Sequence, residues 1–141
     1  MNKTIGLALG GGGARGLAHI GGLKSFEKEK IKINSISGTS IGALIGAIYS
    51  LGIKISEIEK FVKDLDWKSF FLFTDFSLSG KGIINGKKVE EILDNFLDEK
   101  TFDDCKIPFN CVAVDILNRK KVIIDKGLLK KAVRASISIP G

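Results

Sequence analysis

The sequence predicts an α/β sandwich with a largely parallel sheet, on three observations. Apolar runs of strand length alternate with stretches of helical periodicity, as layered α/β chains require. The first apolar run, Thr4 to Leu9, stops at four consecutive glycines, Gly10 to Gly13. A second strand pattern, Ile33 to Ser37, runs into Gly38-Thr39-Ser40-Ile41-Gly42 and then into small apolar residues up to Leu51. A strand, a tight turn and a helix form the context in which G-x-S-x-G holds an exposed serine.

At 141 residues, with 44% hydrophobic and 27% charged residues, the chain is expected to fold as one soluble domain, residues 1–141, around a single core. No apolar run approaches the roughly 20 residues of a membrane-crossing helix. The apolar start is too short for an export signal, so the expected compartment is cytoplasmic. The net charge of +6 is compatible with an anionic surface, but the basic residues are scattered and no run of five occurs. They are read mainly as solvated faces, and no nucleic-acid partner is expected. Cys105 and Cys111 lack metal-type partners and are expected to be reduced and packed.

The elements follow in order. Thr4 to Leu9 is apolar enough for a strand buried on both faces. Leu17 to Glu29 places Leu17, Ile20, Leu23 and Phe26 on one helical stripe. The helix after Ser40 stops at Gly52, a C′ glycine. Ser56-Glu57-Ile58-Glu59 reads as a capping box opening a third helix to about Leu65. Trp67 to Ile84 is aromatic, then rich in Gly and Ser. Its Trp67, Phe70, Phe71 and Phe73 are read as core filling in preference to a lipid-entry lid. Asn85 is placed as the cap of a fourth helix, Lys87 to Leu97, with Val89, Ile92, Leu93 and Phe96 on its apolar face. Pro108 to Asp115 is a strand, Asn118-Arg119 a turn, and Lys121 to Asp125 the returning strand of a hairpin. Leu128 to Ala135 is a short helix.

The chemistry concentrates in the two glycine motifs. Gly11-x-Gly13-x-x-Gly16 also fits a dinucleotide fingerprint, but residues 33–42 contain no acid to hold a ribose, and no G-K-[ST] closes a phosphate loop. Exposed amides at a helix start then serve best as oxyanion donors. Ser40 needs a base. The one histidine, His19, precedes the serine and is read as a helix residue, which leaves a carboxylate as the usual base.

Leu9-Gly10-Gly11-Gly12-Gly13-Ala14-Arg15-Gly16, Ala18-His19-Ile20-Gly21, Gly38-Thr39-Ser40-Ile41-Gly42 and the closing stretch from Ala132 to Gly141 together resemble the patatin-like phospholipase family, above all its bacterial members. The resemblance spans essentially the whole chain. It implies a three-layer α/β/α sandwich, a Ser–Asp dyad, and hydrolysis of phospholipid or other fatty acyl esters with no metal or cofactor. By position, Ser40 is the nucleophile on an elbow flanked by Gly38 and Gly42. Gly11, Gly12 and Gly13 supply oxyanion donors, with Ile41 N–H as a further one, while Arg15 and Gly16 support the loop. The implied partners are a lipid or acyl-ester substrate and peripheral contact with a membrane.

One departure stands beside this match. The family's catalytic aspartate lies in a D-G-[GA] motif, and none occurs here. Asp115 sits at a hairpin turn and Asp125 precedes the Ser-Ile-Pro-Gly stretch, so neither fits the pattern. The chain is therefore expected to be the N-terminal part of a longer hydrolase, inactive by itself, with an exposed edge that favours oligomers. The alternatives are a degenerate homologue or a module that binds an anion or lipid headgroup without turnover.

Overall fold

The computed structural model describes residues 4–64 and 82–138. Four strands, β1 (Gly6–Leu9), β2 (Ser35–Thr39), β3 (Phe109–Asp115) and β4 (Lys120–Ile124), form one sheet in the order β1-β2-β3-β4. The first three run parallel and β4 returns antiparallel from β3, so the sheet is mostly parallel as expected. Helices α1 (Ala18–Lys28), α2 (Ile41–Ser50), α3 (Ile55–Asp64), α4 (Gly82–Leu97) and α5 (Leu129–Ile137) flank it, consistent with the α/β/α class.

Helix α2 is the hub. From Ile41 to Ile48 every residue is buried, and α2 packs against β1, β2, β3, α3 and α5. A helix hydrophobic all round is one enclosed on all sides, and small residues let this one lie directly on the sheet. A Cβ on Gly42 would stand 2.1 Å from the Leu9 carbonyl oxygen, and one on Gly38 2.5 Å from the Ala43 Cα. In both places the obstacle is backbone, which cannot swing away. Ile36, Phe109 and Cys111 from the sheet meet Ile45, Ile48, Leu129 and Val133 in the core beneath.

Several boundaries differ from the sequence expectation. Strand β2 starts two residues later because Asn34 is used as a polar clamp: its Oδ1 accepts from Ile5 N at 2.9 Å, and its own N–H bonds the Ile5 carbonyl at 2.8 Å. The capping box at Ser56 does not form. The Lys54 carbonyl accepts the first bonds of α3, from Glu57 and Ile58, which puts Ser56 inside the helix. Glu59 instead pairs with Lys24 at 2.8 Å and Lys63 at 3.3 Å. Helix α4 begins at Gly82, so Asn85 lies within it and is not its cap. Gly52 does end α2 at φ 85°, its N–H bonded to the Tyr49 carbonyl. Trp67, Phe70, Phe71 and Phe73 lie outside the described residues.

Two glycine substitutions separate packing from propensity. Gly21, exposed in α1, has open space around its Cβ position. Gly21→Ala is expected to raise stability by about 0.5–1 kcal/mol through helix propensity and a less free unfolded chain. Gly38→Ala is expected to lower it by about 3 kcal/mol, the upper range for overpacking. Urea unfolding midpoints of the two variants, at equal m-value, check both signs.

Candidate active site

Ser40 stands between β2 and α2 with φ 54° and ψ −123°. Positive φ crowds a residue that carries a Cβ, and such positions cost about 1–3 kcal/mol and cluster at functional sites. The chain cannot relax here, because Gly38 and Gly42 on either side are already in backbone contact. Ser40 is half-buried, and its hydroxyl makes no cap bond to its own helix. Its carbonyl accepts from Ala43 and Leu44. The amides of Ile41 and Gly42, at the first turn of α2, have no acceptor within the helix.

The glycine loop comes back over this turn. The Cβ position of Gly11 lies 3.5 Å from Ser40 Cβ and 3.7 Å from the Thr39 carbonyl oxygen. Gly12 (φ 142°) and Gly13 (φ 55°) take conformations that side chains disfavour. A short 3₁₀ turn, Gly13–Leu17, follows and leads into α1. Gly16 seats that turn on α2, since a Cβ there would stand 2.1 Å from Ile41 Cγ2. Thus Gly11, Gly16, Gly38, Ser40, Ile41 and Gly42, distant in sequence, meet at one end of the parallel strands. The C-terminal ends of parallel strands are where α/β folds bind ligands.

Polar contacts of residues beyond the elbow and the glycines hold this arrangement. His19, half-buried, donates Nε2–H to the Gly10 carbonyl at 2.8 Å, so its ring secures the loop backbone. Arg15 ties the loop through its main chain, its N–H bonding the Gly12 carbonyl at 3.1 Å, while its side chain is exposed. Ser136, in α5, accepts from Ser40 N–H at 2.9 Å and donates to the Val112 carbonyl at 2.6 Å. Ser136 lies in the closing stretch, Ala132 to Gly141, that carries the resemblance, but the sequence assigned it no role. A signal for it does exist: Leu129, Ala132, Val133 and Ser136 fall at i, i+3, i+4 and i+7, so the serine is the polar member of the buried stripe of α5.

The two candidate acids lie apart from these contacts. The Asp115 carboxylate accepts from Asn118 N–H at 3.0 Å and from its Nδ2 at 2.7 Å, closing the β3–β4 turn. Those bonds hold it below the usual carboxylate range, the behaviour of a turn-former. Asp125 is exposed just past β4. Among the described residues no group of three or more His, Cys, Asp and Glu is arranged to hold a metal ion.

With this geometry established, comparison with known proteins assigns the family. The patatin-like phospholipase family model matches residues 7–141. An uncharacterized NTE family protein of Mycobacterium tuberculosis is 35% identical over 140 residues, covering 99% of this chain and 39% of the relative. Neuropathy target esterase of Drosophila grimshawi is 34% identical over 144 residues, covering 99% of this chain and 10% of that protein. Among solved structures, ExoU of Pseudomonas aeruginosa, crystallised with SpcU, superposes with a TM-score of 0.70 at 17% identity, covering 97% of this chain and 38% of ExoU. The chain belongs to the patatin-like phospholipase family, a family of lipid acyl hydrolases. It spans about two-fifths of the length of the first of these relatives.

Cys111 pairs with Gly38 across β2 and β3 and is thus a thiol close to the elbow. Burial pushes it up to about 11, and burial with the Asp104 charge does the same to Cys105. Both thiols stay protonated near neutral pH and are poor nucleophiles. Their reaction with a disulfide reagent at pH 8 is expected to be at least tenfold slower, roughly, in the native chain than in urea. An unfolded thiol ionises near 9, before the folded ones, so stability is also expected to fall as pH rises from about 9 to about 11. Thiol-release kinetics and a pH series of unfolding midpoints test the two effects.

Proposed function

We propose that the protein is a serine acyl-ester hydrolase for phospholipids or other fatty acyl esters, with Ser40 as nucleophile. The observation that carries this is the positive-φ Ser40 at the strand–helix elbow, with the glycine loop folded back against it. Ser40 Oγ attacks the ester carbonyl carbon and passes its proton to a base. The carbonyl oxygen becomes an oxyanion, received by the amides of Gly11, Gly12, Gly13 and Ile41. Collapse expels the alcohol or lysolipid, which takes the proton back, and leaves an acyl-serine. Water then adds to the acyl carbonyl and releases the fatty acid. Each amide donor in such a hole is worth about 3 kcal/mol of barrier.

The base in this scheme is the aspartate of a Ser–Asp dyad. No D-G-[GA] occurs in these 141 residues, and Asp115 is engaged in its turn. The nucleophile and donors are therefore assigned to this chain and none of its residues is assigned as the base, so these 141 residues alone are expected to show little turnover. The relatives named as esterases support an ester substrate. A lipid substrate entails peripheral contact with a membrane; among the described residues no helix is long and apolar enough to cross one.

Intact-mass analysis after fluorophosphonate treatment tests the assignment. One adduct, mapped to Ser40 and absent from Ser40→Ala, is expected. In a protein that turns over ester, Ser40→Ala should lower kcat by about a thousandfold or more. Absence of an adduct on folded chain, together with Ser40-independent binding of anionic lipid, would replace this function with a headgroup-binding module.

A further inference from the structure

We infer that Ser136 is a positioning residue for the nucleophile: its hydroxyl is a side-chain rung that replaces the last main-chain hydrogen bond between β2 and β3. The inference rests on the hydrolase assignment of Ser40 and extends it to a residue 96 positions away.

The ladder supplies the argument. In a parallel pair, alternate residues of one strand bond the flanking residues of the other. The register pairs Ile36 with Phe109 and Thr39 with Val112, and Ile36 N–H bonds the Pro108 carbonyl at 2.9 Å. Advancing two residues on both strands puts Gly38 N–H opposite the Asn110 carbonyl. A second such step puts Ser40 N–H opposite the Val112 carbonyl. These are the two groups that Ser136 Oγ joins, accepting from the first at 2.9 Å and donating to the second at 2.6 Å.

An inserted hydroxyl separates the two main-chain groups by the length of two hydrogen bonds instead of one. The ladder is thereby opened at the residue where β2 must leave the sheet and turn to φ 54°. Both groups stay satisfied, which matters because an unpaired buried amide or carbonyl costs about 1–3 kcal/mol. Without the hydroxyl, Ser40 N–H and the Val112 carbonyl either close on each other, drawing Ser40 toward β3, or remain unpaired. Each outcome moves Oγ relative to the amides of Gly11 to Gly13, and small misplacements of a reacting group carry large rate costs. Ser136 itself touches no reacting atom. It acts through the Ser40 amide.

The test compares Ser136→Thr with Ser136→Val in the 141-residue chain. The two side chains have nearly the same shape and differ in the hydroxyl. The rate constant for covalent labelling by a fluorophosphonate (kinact) and the constant for its reversible binding (KI) are read by intact mass, with a melting curve for each protein. The threonine variant is expected to keep kinact within about twofold of the unsubstituted chain. The valine variant should lose about tenfold in kinact with KI unchanged, the scale of one hydrogen bond expressed in the chemical step. Ser136→Ala repeats the comparison with the smallest change in volume should either β-branched residue prevent folding. Equal kinact in the unsubstituted chain and the hydroxyl-free variant overturns the inference while leaving Ser40 as nucleophile. So does a loss in the valine or alanine variant that follows the melting temperature alone. Failure of the unsubstituted, folded chain to label overturns this inference, and together with Ser40-independent binding of anionic lipid it overturns the hydrolase assignment as well.

Discussion

The structure depends on one close contact, the first turn of α2 resting on the end of β1. A single Cβ at Gly42 would fall inside the Leu9 carbonyl group. That separation fixes the height of α2 above the sheet. It fixes in turn where the glycine loop, which leaves from the same end of β1, comes back over Ser40. The strain at Ser40, about 1–3 kcal/mol for a positive-φ residue, is sustained by what the contact allows: the burial of Ile41, Leu44, Ile45 and Ile48. Each such side chain is worth about 1.5–3 kcal/mol when taken fully from water. The elbow is thus a local cost carried by the best-packed helix of the fold.

What the sequence made legible was what local period and turn chemistry encode. The alternation of strands and helices, the elbow, the end of α2 at Gly52 and the β3–β4 turn all depend on residues near one another in the chain. The shortfalls arise where a side chain found a distant partner. Asn34 suits a strand pattern by its neighbours, yet its amide is drawn to Ile5. Glu59 has capping-box spacing from Ser56, but Lys24 of α1 lies within reach and the carboxylate pairs with it. At Asn85, cap chemistry gave a start to a helix that begins at Gly82, since propensity is a weak prior against tertiary context.

The candidate site divides along the same line. Ser40 and the glycines could be found in the sequence because their role is conformational, and glycine spacing records conformation. The contacts of His19 with Gly10, nine residues apart, and of Ser136 with Ser40, 96 apart, could not, because each is a polar tie that the residue types involved do not record. For His19, motif logic asked whether a lone histidine served as base. The geometry instead engages Nε2 as a donor to the loop backbone.

The delivery of Ser136 shows how a polar tie of this kind acquires its accuracy. Helix α5 is linked to α4 by Lys130 and Arg134, which reach Glu90 at 3.5 and 3.1 Å. Arg134 and Glu90 keep 44% of their side-chain exposure and Lys130 29%, and pairs this open to solvent contribute at most about 1 kcal/mol each. Those contacts therefore do not hold the helix in register. Leu129 and Val133, fully buried, and Ala132, nearly so, do, because a slip of one residue would rotate the stripe by about 100° and expose it. The same rotation would carry the Ser136 hydroxyl away from Ser40. The placement of the nucleophile's amide is therefore set by hydrophobic burial one and two turns away, and the hydrogen bonds at Ser136 use an alignment that the core has already determined.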